Sequence, residues 1–323
     1  MGEVPQTEHP LKMHCKRVIC MVYITTKEAA EKWNVSERTV RKYCEQGKIP
    51  NVIHAGSVWV IPADAMNPHD SKTRRMEAPP TIKKILAQKK KNNHFGIYEY
   101  IQVNLAYSSS RMASNRLTRN QVFEIYRTGK ISKQFEPIKV DDIIEINNHF
   151  LACGYMIDTV MEPLNSAYIR TIHQKLFRAT QRDLDGRLHI GEYRKKADLY
   201  SSQIASVASG LEALIKRYES KKNITLSDIL EFHAQFEAIH PFEDGNGRVG
   251  RILIVKECLR HGIDPLIIDD KHRTNYYRGI REWETNPSIL LAVAEKAQKR
   301  FGDEKEVCDM LEYFRPATGR GAK

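Results

Sequence analysis

The residues with the richest chemistry in this 323-residue sequence lie side by side: His240-Pro241-Phe242-Glu243-Asp244-Gly245-Asn246-Gly247-Arg248-Val249-Gly250-Arg251. A histidine such as His240 can take up and release a proton at neutral pH, as a general base must. Gly245 and Gly247 let the main chain approach an anion closely, and Asn246 between them adds a side-chain donor. Arg248 and Arg251 are three positions apart, so on a helix they share a face and both can reach one polyphosphate. Asp244 is an acid beside that anion site, a pairing that makes sense when a Mg²⁺ ion lies between them. These are the parts that nucleophilic attack on a nucleotide phosphate requires. A lone histidine at a helix end is usually packed or solvated, and a Gly-Asn-Gly loop is usually a turn. An acid and two arginines at fixed offsets from both are hard to explain by packing.

Two helices must position this loop. Across Leu226 to Ile239 the apolar residues Ile229, Phe232, Phe236 and Ile239 fall on one helix face. Pro241 and the Gly-Asn-Gly then stop that helix and turn the chain. A second helix starts near Asn246 and carries Ile252, Leu253, Ile254, Val255, Cys258 and Leu259 before Gly262 ends it. Being apolar nearly all round, it predicts a central, buried helix. Its N-terminus aims the loop amides at one point, which is a ready anion cradle.

The segment 240–251 resembles, without a gap, the motif of the Fic family of protein adenylyltransferases, His-x-Phe-x-(Asp/Glu)-Gly-Asn-Gly-Arg-x-x-Arg. Gly191-Glu192-Tyr193-Arg194 is similar to the family's flap hairpin. Ile144 to Val160, with Asn148, His149 and Ala152, resembles the helix that follows its N-terminal regulatory element. Tyr276-Tyr277-Arg278-Gly279-Ile280 resembles its nucleotide-side segment, so the likeness runs from about 95 to 300. The resemblance implies a mostly α fold, a Fic-type helical domain with a small β-hairpin flap. It implies ATP as co-substrate, Mg²⁺ as cofactor and a target protein with a Ser, Thr or Tyr hydroxyl, the chain itself included. His240 would deprotonate that hydroxyl, whose oxygen would attack the α-phosphorus, transferring AMP and releasing pyrophosphate. Asp244 would hold the Mg²⁺, while Gly245, Asn246 and Gly247 would cradle the phosphates. Arg248 and Arg251 would bind the β- and γ-phosphates, and Phe242 would anchor the loop. Tyr276 or Tyr277 would border the adenine. The flap, around Gly186 to Lys195, would align the target segment by strand addition. Asn-Gly-Arg in place of Asn-Lys-Arg implies AMP transfer rather than phosphorylation.

Many members of that family carry a restraining helix with Ser/Thr-x-x-x-Glu-Gly/Asn, whose Glu pairs with the second arginine of the motif. Here the similar stretch is Ser109-Ser110-Arg111-Met112-Ala113-Ser114-Asn115-Arg116-Leu117-Thr118. Ala113 stands where the Glu belongs and Ser114 where Gly or Asn belongs. No Glu-Gly or Glu-Asn dipeptide occurs elsewhere in the sequence. Ser109 and Ala113 are thus regulatory positions that lack the Glu–Arg251 clamp. Either Ala113 has been introduced in place of Glu, or regulation runs by another route, such as a DNA-binding head.

That head is marked by charge. Of the net +11, residues 1–93 hold +8 from seventeen Lys/Arg against nine Asp/Glu. A small basic head on a near-neutral body suits a polyanionic partner, though it also aids solubility. Thr25 and Glu28 form a capping box ahead of Ala29, Ala30 and Trp33. Asn34-Val35 makes a turn, Ser36 caps a second helix to about Gln46, and Gly47 ends it. On that second helix Val40 and Tyr43 face inward, leaving Arg38, Thr39, Arg41 and Lys42 on the other faces. The alternating run Val52 to Ile61, broken by Ala55-Gly56-Ser57, predicts a hairpin. Two short helices and a β-ribbon can set the second helix in a major groove, its cations on phosphates and base edges. Thr25 to Val40 and Lys48-Ile49-Pro50 resemble the excisionase-like winged helix-turn-helix family, which implies DNA as partner of residues 21–66. A protein-docking module is the alternative.

The domain boundaries expected are a disordered leader over 1–20, the winged helix-turn-helix over 21–66 and a linker over 67–93 marked by Pro68, Pro79, Pro80 and Lys89-Lys90-Lys91. Regulatory helices follow over 94–160, then the catalytic domain over 161–315 and a frayed tail over 316–323. No stretch approaches the ~20 apolar residues of a membrane span. The first twenty residues carry Glu3, Glu8, Lys12, Lys16 and Arg17 without an apolar stretch between them, unlike a secretory signal. Six cysteines without a CxxC pair suit the reduced thiols of a cytoplasm. The resemblance also implies self-association, as in a homodimer, which no stretch of the sequence marks. Two rival readings stand beside AMP transfer: a transcription regulator whose Fic body senses nucleotide, and a Fic enzyme that removes AMP or transfers another phosphate-containing group.

Overall fold

The computed structural model describes residues 23–49, 52–56, 58–63, 65, 67–68, 78–91, 93–132, 137–195 and 207–313. The expected leader, the tail and the middle of the expected linker lie outside them. The chain divides into two compact units, Met1–Glu77 and Ala78–Lys323.

In the first unit, strand β1 (Tyr23–Thr25) leads into helix α1 (Thr26–Trp33), then α2 (Glu37–Glu45), β2 (Ile53–Ala55) and β3 (Val58–Pro62). The Thr25–Glu28 capping box is present, and Ser36 caps α2 by accepting from the Thr39 N–H at 3.2 Å. Asn34 closes the intervening turn in the left-handed region at φ 51°, a conformation that Asn tolerates better than most residues. β2 and β3 pair antiparallel with His54 opposite Trp59, and those two rings stack at 4.0 Å. β1 adds a third strand on the other side of β3, with Ile24 opposite Ile61. Three residues are too few to show a period of two, so this strand was invisible to the sequence pattern. Ala29, Val40 and Ile61 are fully buried and make the core with Trp33, Tyr43 and Ile49.

The second unit is helical: α3 (Pro80–Lys90), α4 (Ile97–Met112), α5 (Arg119–Thr128), α6 (Val140–Asp158), α7 (Ser166–Phe177), α8 (Gln181–Leu184), α9 (Val207–Glu219), α10 (Leu226–Ile239), α11 (Asn246–Arg260), α12 (Arg273–Arg281) and α13 (Ser288–Tyr313). The expected linker needs correction at α3. Ile82 and Ile85 bury one face of that helix in the core, and Lys89 donates to the Gly154 carbonyl at 3.0 Å. Pro80 takes the first helical position, where a missing N–H costs nothing, and the lysines sit at the C-terminal end that favours cations.

Helix α11 lies at the centre, against α3, α4, α6, α7 and α10. Every residue from Val249 to Leu259 is buried. Each fully buried Val, Ile or Leu there contributes roughly 1.5–3 kcal/mol relative to leaving it in water. Only His240 to Gly245 separate α10 from α11, so the loop between them is held from both sides. The expected β-hairpin flap is made of turns in its described part, Gly186 to Lys195, with left-handed glycines at Gly186 and Gly191. Among the described residues, strands occur in the first unit alone, and no helix is long and apolar enough to cross a membrane.

Candidate active site

α10 ends on His240, which sits in the left-handed region at φ 50° and ψ 62° with its N–H on the Phe236 carbonyl at 3.0 Å. Arg194, buried at the end of the described flap, holds that corner. Its Nε donates to the His240 carbonyl at 2.8 Å and its main-chain N–H to the Pro241 carbonyl at 2.9 Å. Next along the chain, Phe242 is fully buried and stacks on the His173 ring at 4.0 Å. His173 Nδ1 accepts the Gly191 N–H at 2.8 Å, which leaves Nε2 to donate to the Asp244 carbonyl at 3.0 Å. Burial pushes His173 down to about 4, so this imidazole is neutral and ties flap to loop.

Asn246 departs from its expected role as a ligand donor. Its side chain accepts the Phe242 N–H and donates to the Phe242 carbonyl, both at 2.9 Å, and so staples the loop. Gly245, Asn246 and Gly247 all line the cavity. Gly245 opens α11 at φ 81°, and a Cβ there would lie 2.2 Å from the Phe177 ring. Only glycine meets both demands.

Asp244 accepts the Gly245 N–H at 2.6 Å, and its other oxygen is met by Arg182 of α8 and by Arg248 at 3.5 Å. Burial alone would raise its pKa, but the Arg248 and Arg182 charges outweigh it and hold the carboxyl below its usual range. Asp244 is therefore ionised. Arg248 also pairs with Glu145 of α6 at 3.2 Å and lies over the Phe177 ring at 4.3 Å. Arg251 reaches across to α4, donating from Nε to Ser109 Oγ at 3.0 Å and from Nη2 to the Ser109 carbonyl at 3.1 Å.

A cavity of ≈ 780 Å³ opens here, within the size range of small-ligand sites. It brings together His240, Asp244, Gly245, Asn246, Gly247, Arg248 and Arg251 with Ala113 from the end of α4 and Tyr277 from α12. Ser109 is fully buried behind Arg251 instead of lining the cavity. Tyr276 is a correction: it is fully buried, and its hydroxyl meets His233 Nε2 at 2.6 Å. Neighbours on a helix point about 100° apart, so Tyr277 alone of that pair faces the cavity. Ile280, from the same expected nucleotide-side segment, also lines the cavity, and sequence reasoning missed Trp283 and Glu237 of α10. Glu237 had a signal, since it precedes His240 by three on the same helix. In the first unit, Arg38, Arg41 and Lys42 of α2 are exposed, and Thr39 is half-buried with its hydroxyl 2.8 Å from that of Ser36.

Comparison with known proteins identifies two domains in the chain. Residues 163–258 match the model of the Fic/DOC family, and residues 23–67 match that of a helix-turn-helix domain. A protein of Aquifex aeolicus named "Probable protein adenylyltransferase" is 35% identical over 83 residues, 26% of this chain and 25% of that protein. The protein adenylyltransferase Fic of Drosophila melanogaster is 26% identical over 184 residues, 54% of this chain and 36% of its own length. The match thus spans between a quarter and about a third of these relatives. Among solved structures, a Fic domain containing signaling protein from Bacteroides thetaiotaomicron superposes with a TM-score of 0.57 at 16% identity, covering 74% of this chain and 99% of that one. A Fic-1 fragment from Caenorhabditis elegans superposes at 0.58, also at 16% identity, covering 76% and 75%. At that identity the likeness is one of fold. The chain carries a Fic domain preceded by a helix-turn-helix domain.

Proposed function

We propose that the chain is a protein adenylyltransferase, moving AMP from ATP to a Ser, Thr or Tyr hydroxyl of a protein, its own hydroxyls included. The observation that carries this reading is the gathering of His240, the Gly245–Gly247 turn at the start of α11, Arg248 and Arg251 on one cavity. His240 takes the proton of the target hydroxyl. The oxygen forms a bond to the α-phosphorus as the bond to the bridging α–β oxygen breaks, and the electron pair leaves with pyrophosphate. His240 then releases its proton to solvent. Arg248 and Arg251 stabilise the charge that builds on the leaving group, held in place beforehand by Glu145 and Ser109. Tyr277, Ile280 and Trp283 offer the apolar and aromatic wall that a base needs. The flap, Gly186 to Lys195, would align the target segment.

The residues fit Mg²⁺. Among the described residues no three His, Cys, Asp or Glu side chains gather as a metal cage. One ionised carboxylate beside a phosphate cradle is nevertheless how Mg²⁺ is commonly held, shared with substrate phosphates. Asp244 would be that ligand. When bound, Mg²⁺ offsets negative charge on the phosphates.

The first unit supports DNA binding through residues 21–66, with α2 as the recognition helix and Arg38, Arg41 and Lys42 exposed on it. The buried thiols Cys44, Cys153, Cys258 and Cys308 suit a cytoplasmic setting, where ATP is also abundant. Peptide mass mapping after incubation with ATP, Mg²⁺ and candidate proteins tests the main reading. Adenylate on a hydroxyl side chain is expected; nucleotide that binds without ever being transferred would favour a nucleotide-sensing DNA regulator.

A further inference from the structure

Three buried polar atoms have no hydrogen-bond partner among the described residues: Glu237 Oε1 and Arg251 Nη1, whose residues line the cavity, and His233 Nδ1 behind them. They lie along a strip of α11, at Gly247 and Gly250, that carries no side-chain bulk. A Cβ on Gly250 would lie 2.6 Å from His233 Nδ1 and 3.1 Å from Glu237 Oε1, and a Cβ on Gly247 would lie 2.9 Å from Arg251 Nη1. Glu237 lines the cavity with its side chain 14% exposed. His233 comes no nearer to Oε1 than 4.0 Å through Nε2, and that nitrogen is engaged with the Tyr276 hydroxyl. Burial, with Arg251 adding to it, pushes His233 down to about 3, so it supplies no cation. Burial pushes Glu237 up to about 7 against the pull of Arg251. A buried carboxyl oxygen without a hydrogen-bond partner beside an anion cradle is expensive to keep, and packing gives no reason for it.

We propose that Glu237 is a specificity-determining residue that reads the third phosphate of a nucleoside triphosphate at Arg251. Neutral, it donates a hydrogen bond to that phosphate; ionised, it competes with the phosphate for Arg251. The inference rests on the nucleotide-binding reading of the cavity. Binding a triphosphate above neutral pH then places one solvent proton on the Glu237 carboxylate, whereas a diphosphate that stops short of Arg251 does not. The other charged or titratable groups facing this space are His233 and His240 from the α10 side, Asp244, Arg248 and Arg251 from the loop and α11, and Arg273, Tyr276, Tyr277, Arg281 and Glu284 from α12 and its end. An isosteric change at Glu237 separates its contribution from theirs.

The test is equilibrium binding of the α,β-methylene analogues of ATP and ADP to the full chain with Mg²⁺. Neither analogue can be cleaved between its α- and β-phosphates. Wild type, Glu237→Gln and Glu237→Met are compared, with thermal unfolding confirming that each is folded. The wild type is expected to bind the triphosphate analogue about tenfold more weakly near pH ~8 than near pH ~6, with little change for the diphosphate analogue. Both variants should hold the triphosphate nearly equally at the two pH values. An equal loss in variants and wild type, or a parallel loss for both analogues, would overturn the proposal alone. Wild type that binds neither analogue near pH ~6 would remove the nucleotide reading, and this inference with it.

Discussion

Arg251 and Ser109 stand 142 residues apart in sequence yet share two hydrogen bonds, Nε to the hydroxyl at 3.0 Å and Nη2 to the carbonyl at 3.1 Å. Ser109 is fully buried near the C-terminal end of α4, where carbonyls without helical partners favour a cation. The guanidinium is thereby fixed with Nη1 left over for a ligand. Ser109→Ala removes one bond and strands a buried donor, which costs about 1–3 kcal/mol. Denaturant unfolding should show that loss, and ATP affinity should fall several-fold. Unchanged affinity would mean that Ser109 does not position Arg251.

Ala113 caps α4 at φ −94° and ψ 17° and lines the cavity, a backbone that glutamate adopts without strain. Ala113→Glu would bring a carboxylate to the wall that Arg251 shares. AMP transfer should slow while the fold is retained. Equal rates for both forms would show that position 113 exerts no restraint in this chain.

Gly245 combines φ 81° with a Phe177 ring that a Cβ would strike. Gly245→Ala should destabilise by about 1–3 kcal/mol from the backbone alone, with the clash adding to it. A melting temperature within error of wild type would contradict this geometry.

The Arg182 guanidinium occupies the cation side of Asp244 from a partly exposed position. A pair of that kind contributes only about 0–1 kcal/mol, so a divalent ion can displace it. Arg182→Gln should tighten Mn²⁺ binding in the presence of ADP by up to about fivefold, read by electron paramagnetic resonance. Asp244→Asn should weaken it. Identical affinities in all three proteins would exclude Asp244 as the ligand.

Three buried histidines set an acid limit. Burial pushes His149 and His233 down to about 3 and His173 to about 4. Below their ordinary pKa the unfolded chain takes up protons that the folded chain refuses. Stability from these groups is therefore complete above about pH 6.5 and lost progressively as pH falls toward their folded values. Glu237 works in the opposite sense, since its raised pKa makes the folded chain the better proton binder. With three groups against one, urea midpoints should drop on acidification. A flat profile would contradict the burial of these rings.

The loop over 240–251 was legible because its signals are local. The apolar face of α10, the breakers after it and the mostly apolar run Ile252 to Leu259 of α11 lie within about forty residues, and α10 runs as expected from Leu226 to Ile239. The side chains that hold the loop were legible only in part: Glu145 of α6 and Arg194 of the flap lie in stretches that carry the family likeness without marking their roles, and nothing near Arg182 of α8 in sequence points to the site. Helix α3 hid behind prolines and lysines that also suit helix ends. Asn246 has the right type for a ligand donor, but the four-residue span back to Phe242 consumes both ends of its amide.

The most direct test of AMP transfer is label transfer in parallel from ATP marked at the α- or the γ-phosphate, to wild type and to His240→Ala, with Mg²⁺ and candidate targets. Covalent label on protein from the α-position only, lost in His240→Ala while nucleotide binding persists, is the predicted result. Label arriving from the γ-phosphate, or α-label undiminished in His240→Ala, would contradict AMP transfer with His240 as the base.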